Sequence, residues 1–344
     1  MPASRHTSRR DALRLASLGG VVFASSLFRG IAGCSSATGV LGGGPRGGNA
    51  RGAQQDFYFL QLSDTHWGFS GPKFNPEPEL ELPTVIAAIN AAEAKPDFVM
   101  FTGDLTHTTD DIAVRRQQMT DFKRIVSGLD VAMVKFIPGE HDAASDAGAT
   151  YKEFFGDLYY SFDHRGIHFV ALDNVSDPRA NLGGPQLAWL QSDLASLDVE
   201  SPIVVFAHRP LWDLRAEWDW TTPDGQKAID LLAPFVNVTV FFGHIHQELH
   251  RMTGRIPHHS ARSLMFAFPS PDSDAGKLSA VPWDPANPNA GLGYRSIEAT
   301  TDPADYKILE IAPPPPLVGD AGSQVVAPVG NSAAPDGGPT GGGV

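Results

Sequence analysis

The run Phe57-Tyr58-Phe59-Leu60-Gln61-Leu62, followed by Ser63-Asp64-Thr65-His66, constrains this chain most. Its aromatic and aliphatic residues read as a buried strand that ends on an acid and an imidazole two residues apart. Asp-x-His at a strand end can bring a carboxylate oxygen and a ring nitrogen to one cation, the mixed ligation that suits Zn, Mn or Fe. Four later strand-like runs also end in metal-ligand residue types: Phe98 to Gly103-Asp104, Val134 to Gly139-Glu140-His141-Asp142, Ile203 to Ala207-His208, and Val238 to Gly243-His244-Ile245-His246. One such ending is weak evidence, whereas five in one chain are not expected of a domain without a metal.

Between the runs the pattern turns helical. Pro83 to Ala94 reads as a helix opened by proline and closed before Pro96, and Asp110 to Leu129 as another, with Met119, Phe122, Ile125, Val126 and Leu129 on one stripe. Trp67 to Leu82 reads as a long Pro/Gly-studded loop in which Trp67 and Phe69 either wall a substrate or only pack. Leu158–Phe162 and Ile167–Leu172 form a hairpin around 163–166, and a helix starts at Pro185 with Leu187, Leu190, Leu194 and Leu197 on one face. Strands near 202, 238, 256, Tyr294 and Tyr306 complete an α/β layout.

The ordered blocks Asp64-x-His66, Gly103-Asp104, Gly139-Glu140-His141-Asp142, His208 and Gly243-His244-x-His246 resemble those of the calcineurin-like metallophosphoesterases over roughly residues 57 to 250. The helix from Pro185 resembles that family as well. Glu140 departs from the pattern, which has Asn there. The resemblance implies two stacked mixed β-sheets flanked by helices, a four-layer αββα sandwich. It implies two metal ions, Mn, Fe or Zn, the first held by Asp64, His66 and His246 and the second by His208, His244 and Glu140, with Asp104 bridging. A metal-bound hydroxide would then hydrolyse a phosphomonoester or phosphodiester. His141 would serve the leaving oxygen, with Asp142 fixing its tautomer. Glu140 adds a negative charge that would tighten a hard cation and weaken it as a Lewis acid. The alternative is a metal-binding protein on the same fold whose hydrolysis Glu140 has altered or abolished.

Other residues carry less. His107 either supports a ligand near Asp104 or is incidental, His164 reads as solvated, and His168 and His250 read as core or rim residues. His258 and His259 reach a phosphate only if their strand ends near the site. Trp212, Trp218 and Trp220 form a pocket lip or a packed loop, and Arg209 grips a phosphate oxygen or makes an ion pair.

The first 33 residues stand apart. Ser8-Arg9-Arg10-Asp11 is a twin-arginine pattern before a mildly apolar stretch, which predicts export by that route for residues 1–33. Ile31-Ala32-Gly33-Cys34 resembles a bacterial lipobox, and lipidation of Cys34, the only cysteine, would tether a periplasmic or cell-surface lipoprotein to a membrane. Residues 34–55 read as a flexible Gly/Ser-rich tether, 56–311 as the catalytic domain and 312–344 as a disordered Pro/Gly-rich tail. Without residues 1–33 the chain has 21 Lys+Arg against 38 Asp+Glu, a net charge of −17, which argues against general nucleic-acid binding. The partner expected is a phosphoester, and composition leaves the oligomeric state open.

Overall fold

The computed structural model describes residues 22–24, 57–299 and 306–315. Apart from residues 22–24 and 312–315, the expected export signal, Cys34, the tether and the tail lie outside the described residues. Strand β2 (Phe57–Leu62) sets the layering. Phe57 and Phe59 face the space between two sheets, whereas Tyr58, Leu60 and Leu62 face helices, so the period-two alternation buries both faces.

The first sheet runs β1-β12-β11-β2-β3-β4, where β1 is Val22–Ala24, β3 Phe98–Thr102, β4 Val134–Ile137, β11 Tyr294–Ala299 and β12 Tyr306–Ile311. β2, β3 and β4 pair in parallel, and β11 closes them antiparallel. The second sheet runs β5-β6-β7-β8-β10-β9, built from Tyr160–His164, Ile167–Ala171, Pro202–Phe206, Asn237–Phe242, Leu249–Thr253 (β9) and Ile256–Ser260 (β10). Here β6, β7, β8 and β10 are parallel, with β5 and β9 antiparallel at the edges. Phe59 meets Phe169, Phe206 and Phe241 of the second sheet edge-on at centroid distances of 5.8, 5.9 and 6.0 Å, which locks the sheets face to face.

Helices α1 (Pro78–Ala91) and α2 (Ile112–Val126) cover the outside of the first sheet through Leu82, Val85, Ile86, Ile89, Phe122 and Val126. Short helices α3 (Glu140–Ala143) and α4 (Ala149–Phe155) follow β4. Helices α5 (Gly183–Leu194) and α6 (Gly225–Leu232) cover the second sheet. The result is the expected pair of mixed sheets flanked by helices.

Several elements depart from the sequence reading. α1 opens five residues early, because Pro78 rather than Pro83 takes its first turn, and Pro83 sits inside the helix. The hairpin strand β5 extends to His164, because the tight turn is Arg165-Gly166, both with positive φ. β9 was not anticipated: Leu-His-Arg-Met-Thr carries no apolar alternation, and pairing with β10 alone makes it a strand.

Candidate metal centre

The seven expected ligands converge where the carboxyl ends of the parallel strands of both sheets meet. The loops after β2 and β3 are zipped together: Asp64 N–H donates to Gly103 O (3.0 Å), His66 N–H to Asp104 O (2.9 Å) and Trp67 N–H to Leu105 O (3.0 Å). Asp64, His66, Asp104, His244 and His246 all have left-handed backbones, with φ between 40° and 63°. Five non-glycine residues in that region at one locus amount to stored strain, of the kind found at functional sites. The glycines permit the close approach. A Cβ on Gly139 would run into the Asp104 carboxylate, and one on Gly243 into Ser63 and Asp64.

The donor atoms fall into two overlapping groups. His246 Nε2 lies 3.3 Å from Asp64 Oδ1 and 3.2 Å from His66 Nε2. Glu140 spans the other pair, with Oε2 2.8 Å from His208 Nε2 and Oε1 2.8 Å from His244 Nδ1. Between the groups Asp104 Oδ2 stands 3.6 Å from His66 Nε2 and 3.5 Å from His208 Nε2. Backbone donors fix both acids: His244 N–H reaches both Asp64 oxygens (3.2 Å each), and His141 N–H reaches Asp104 Oδ1 (2.9 Å).

Carbonyl acceptors orient three of the imidazoles. His208 Nδ1–H donates to Thr102 O (2.7 Å), His246 Nδ1–H to Phe266 O (2.7 Å) and His244 Nε2–H to Asp219 O (3.0 Å). With those hydrogens so placed, the second nitrogen of each ring points inward, where it can offer a lone pair to a cation. His208 Nε2, His244 Nδ1 and Glu140 Oε2 are buried and make no aligned hydrogen bond, although 2.8 Å separates His208 Nε2 from Glu140 Oε2. Lone pairs that face one another at that range need a positive charge between them, and a cation fits the donor set.

The titration pattern agrees. Burial pushes the His208 imidazolium down, yet Asp104 and Glu140 beside it hold its pKa well above the usual histidine range, so their negative charge favours a positive charge at this spot. Burial and Glu140 push Asp104 up, but His141 and His208 win and keep it far below the carboxylate range. Glu140 is likewise pulled down against its burial by His244, Arg209 and His208. Burial holds His66 well below its ordinary value, helped by His141, His246 and His107 against Asp104.

His141 lies at the rim, with Nε2 3.9 Å from Asp104 Oδ2. Thr108 N–H donates to its Nδ1 (3.0 Å), which leaves the ring proton on Nε2, aimed into the site. The expected support from Asp142 is not what the fold provides. The buried Asp142 carboxylate accepts from Leu105 N, Thr106 N, Thr106 Oγ1 and Gly139 N at 2.9–3.0 Å, and so binds the loops after β3 and β4 to each other.

The remaining candidates sort plainly. His107 Nδ1 lies 3.5 Å from His66 Nδ1, and its ring stacks on His141, so it borders the site. Half-buried Phe69 packs on His107 and Phe266 at the rim, whereas Trp67 is buried in the core. His164 is held by Asp97 (3.2 Å) rather than solvated, because the extended β5 carries it inward against Phe57. His168 bridges Asp163 and Asp193, and His258 and His259 lie along β10 with partners Thr253 and His250. Trp212, Trp218 and Trp220 pack as a buried cluster. The sequence reading missed Thr102, Thr108, Asp219 and Phe266, which act largely through backbone groups that leave no residue-type signal, and Asn174, whose side-chain amide oxygen accepts from the His208 N–H (3.2 Å).

A family profile of calcineurin-like phosphoesterases matches residues 57–248. The serine/threonine-protein phosphatase CPPED1 of Danio rerio is 29% identical over 180 residues, which cover 45% of this chain and 57% of that protein. A probable cyclic nucleotide phosphodiesterase of Rhodopseudomonas palustris is 25% identical over 228 residues, 60% of this chain and 77% of that protein. Purple acid phosphatase PPD1 from yellow lupin seeds shares the fold at a TM-score of 0.52 and 13% identity, covering 74% of this chain and 51% of that one.

Proposed function

The chain belongs to the calcineurin-like phosphoesterases, and from that premise we propose that it hydrolyses a phosphomonoester or phosphodiester at a centre of two metal ions. Asp64, His66 and His246 would hold one ion, Glu140, His208 and His244 the other, with Asp104 shared. The observation that carries this reading is the place of Asp104 Oδ2, 3.6 Å from His66 Nε2 and 3.5 Å from His208 Nε2. Bound there, the ions supply Lewis acidity and a water of lowered pKa.

The chain's own residues do the rest. The N–H groups of His244 and His141 keep both acids turned inward, and the carbonyls of Thr102, Phe266 and Asp219 fix which ring nitrogens stay free. His141 holds its hydrogen on Nε2, where it can donate a hydrogen bond to the charge developing on the departing oxygen. Relatives named as a protein phosphatase and a cyclic nucleotide phosphodiesterase support both ester classes, so the class is settled by assay. Reconstituted with Mn²⁺, the protein is expected to cleave p-nitrophenyl phosphate, bis(p-nitrophenyl) phosphate or both. Metal uptake without cleavage of either would favour the binding protein over the enzyme.

The same proposal places the enzyme outside the cytoplasm, exported by the twin-arginine route and anchored through lipidated Cys34. Among the described residues no helix is long and apolar enough to cross a membrane. Cys34→Ser is expected to move the protein to the soluble fraction, and an intact mass with an unmodified Cys34 thiol would contradict the anchor.

A further inference from the structure

Glu140 puts a full negative charge where the family pattern that this chain resembles has Asn, and the fold sets a buried cation, Arg209, beside it. Arg209 is 6% exposed, and its Nε, which makes no hydrogen bond, lies 3.6 Å from Glu140 Oε2. The guanidinium is anchored from behind, with one terminal nitrogen 2.7 Å from Asp219 Oδ2 and the other donating to Asp219 O (3.3 Å). Its backbone is clamped too: Asn174 Oδ1 accepts from Arg209 N (3.2 Å), and Asn174 Nδ2 donates to Arg209 O (2.9 Å). Asp219 and Asn174 each also hold a candidate ligand, Asp219 through His244 and Asn174 through the His208 N–H.

We propose that Arg209 is the built-in counter-charge to Glu140, a residue that acts through this carboxylate to give the second metal site the charge balance of a neutral ligand. The inference rests on the reading that Glu140, His208 and His244 face a metal ion. It corrects the expectation that Glu140 must burden the second ion with its whole charge, since an opposite charge at that separation in a buried setting cancels much of its field. A guanidinium suits the task because it stays charged at every working pH and spreads that charge over a plane bonded at both ends. The competing use, a grip on the substrate phosphate, would require Arg209 to turn from Glu140.

A cycle of four proteins decides it: parent, Arg209→Gln, Glu140→Asn and the double variant. With metal stripped by chelator, Arg209→Gln is expected to lower the melting midpoint by several degrees in the parent and by less than half as much beside Glu140→Asn, where no buried carboxylate is orphaned. In Mn²⁺ titrations followed by calorimetry, Glu140→Asn should weaken the second site by about tenfold and Arg209→Gln should tighten it by about tenfold, with the double variant within about threefold of the parent. Equal midpoint losses in both backgrounds would overturn the proposal, as would a KM that rises by one factor in both while Mn²⁺ affinity stays fixed. If Arg209→Gln folds only beside Glu140→Asn, the coupling is demonstrated, and failure to fold in either background overturns it. A parent that takes up no Mn²⁺ overturns the metal-centre reading instead, and the metal-free cycle still decides whether Arg209 balances Glu140.

Discussion

His141 separates chemistry from metal binding at the scale of single residues. Its Nδ1 accepts from Thr108 N–H and its Nε2–H faces the site 3.9 Å from Asp104 Oδ2, so its loss removes a hydrogen-bond donor and leaves the candidate ligands in place. His141→Ala is expected to keep its metal content and lose about 10²- to 10⁴-fold in kcat on esters with poor leaving groups, and much less on activated aryl esters. Equal losses across leaving groups of different pKa would contradict this role at the leaving oxygen. That these candidate ligands gather at one locus was legible in sequence, because their types and order carry the chemistry. The role of Asp142 was not. Glu140, His141 and Asp142 open α3, where successive side chains leave the axis about 100° apart, so neighbours in sequence serve different partners. Asp142 therefore turns away from the imidazole and gathers backbone N–H groups of two loops. The carbonyl acceptors that orient the imidazoles were beyond sequence reading as well, since every residue type offers one.

The strands were the most legible elements and the helix starts the least. Continuous apolar runs marked the central strands because both faces of each sheet are covered, whereas α1 offered two prolines as candidate first-turn residues. Its early start has an energetic consequence. Glu81, which the sequence reading left in a loop, lies on the half-buried side of α1, and burial with help from Glu77 raises its pKa to about 7 against a hydrogen bond from Asn75. The unfolded chain gives up this proton near the ordinary 4.5 while the fold retains it, so stability falls as pH rises from about 4.5 to about 7 and the cost persists above. The gap corresponds to about 3 kcal/mol as an upper figure. Glu81→Gln is expected to raise the melting temperature at pH 8 and leave it nearly unchanged at pH 4, as followed by calorimetry across pH. Parallel curves for parent and variant would show that Glu81 ionises freely in the fold.

At the scale of the whole molecule the two sheets divide the site between them. The first supplies Asp64, His66, Asp104 and Glu140 from loops after β2, β3 and β4, and the second supplies His208, His244 and His246 from loops after β7 and β8. Neither sheet alone holds a complete set, so cations bound at the seam would select the stacked native state and stabilise it by mass action. The αββα plan was legible through the family resemblance carried by the ordered Asp, Glu and His blocks, yet the interlock of Phe59 with three phenylalanines of the other sheet depends on contacts between residues more than 100 positions apart. The most direct test of the two-ion centre is elemental analysis of the purified protein beside Asp104→Ala, with phosphoesterase turnover measured on the same samples before and after chelation. The account predicts two metal ions per parent chain, loss of both in Asp104→Ala, and turnover that vanishes on chelation and returns with Mn²⁺. Two ions retained by Asp104→Ala, or full turnover by the stripped parent, would contradict it.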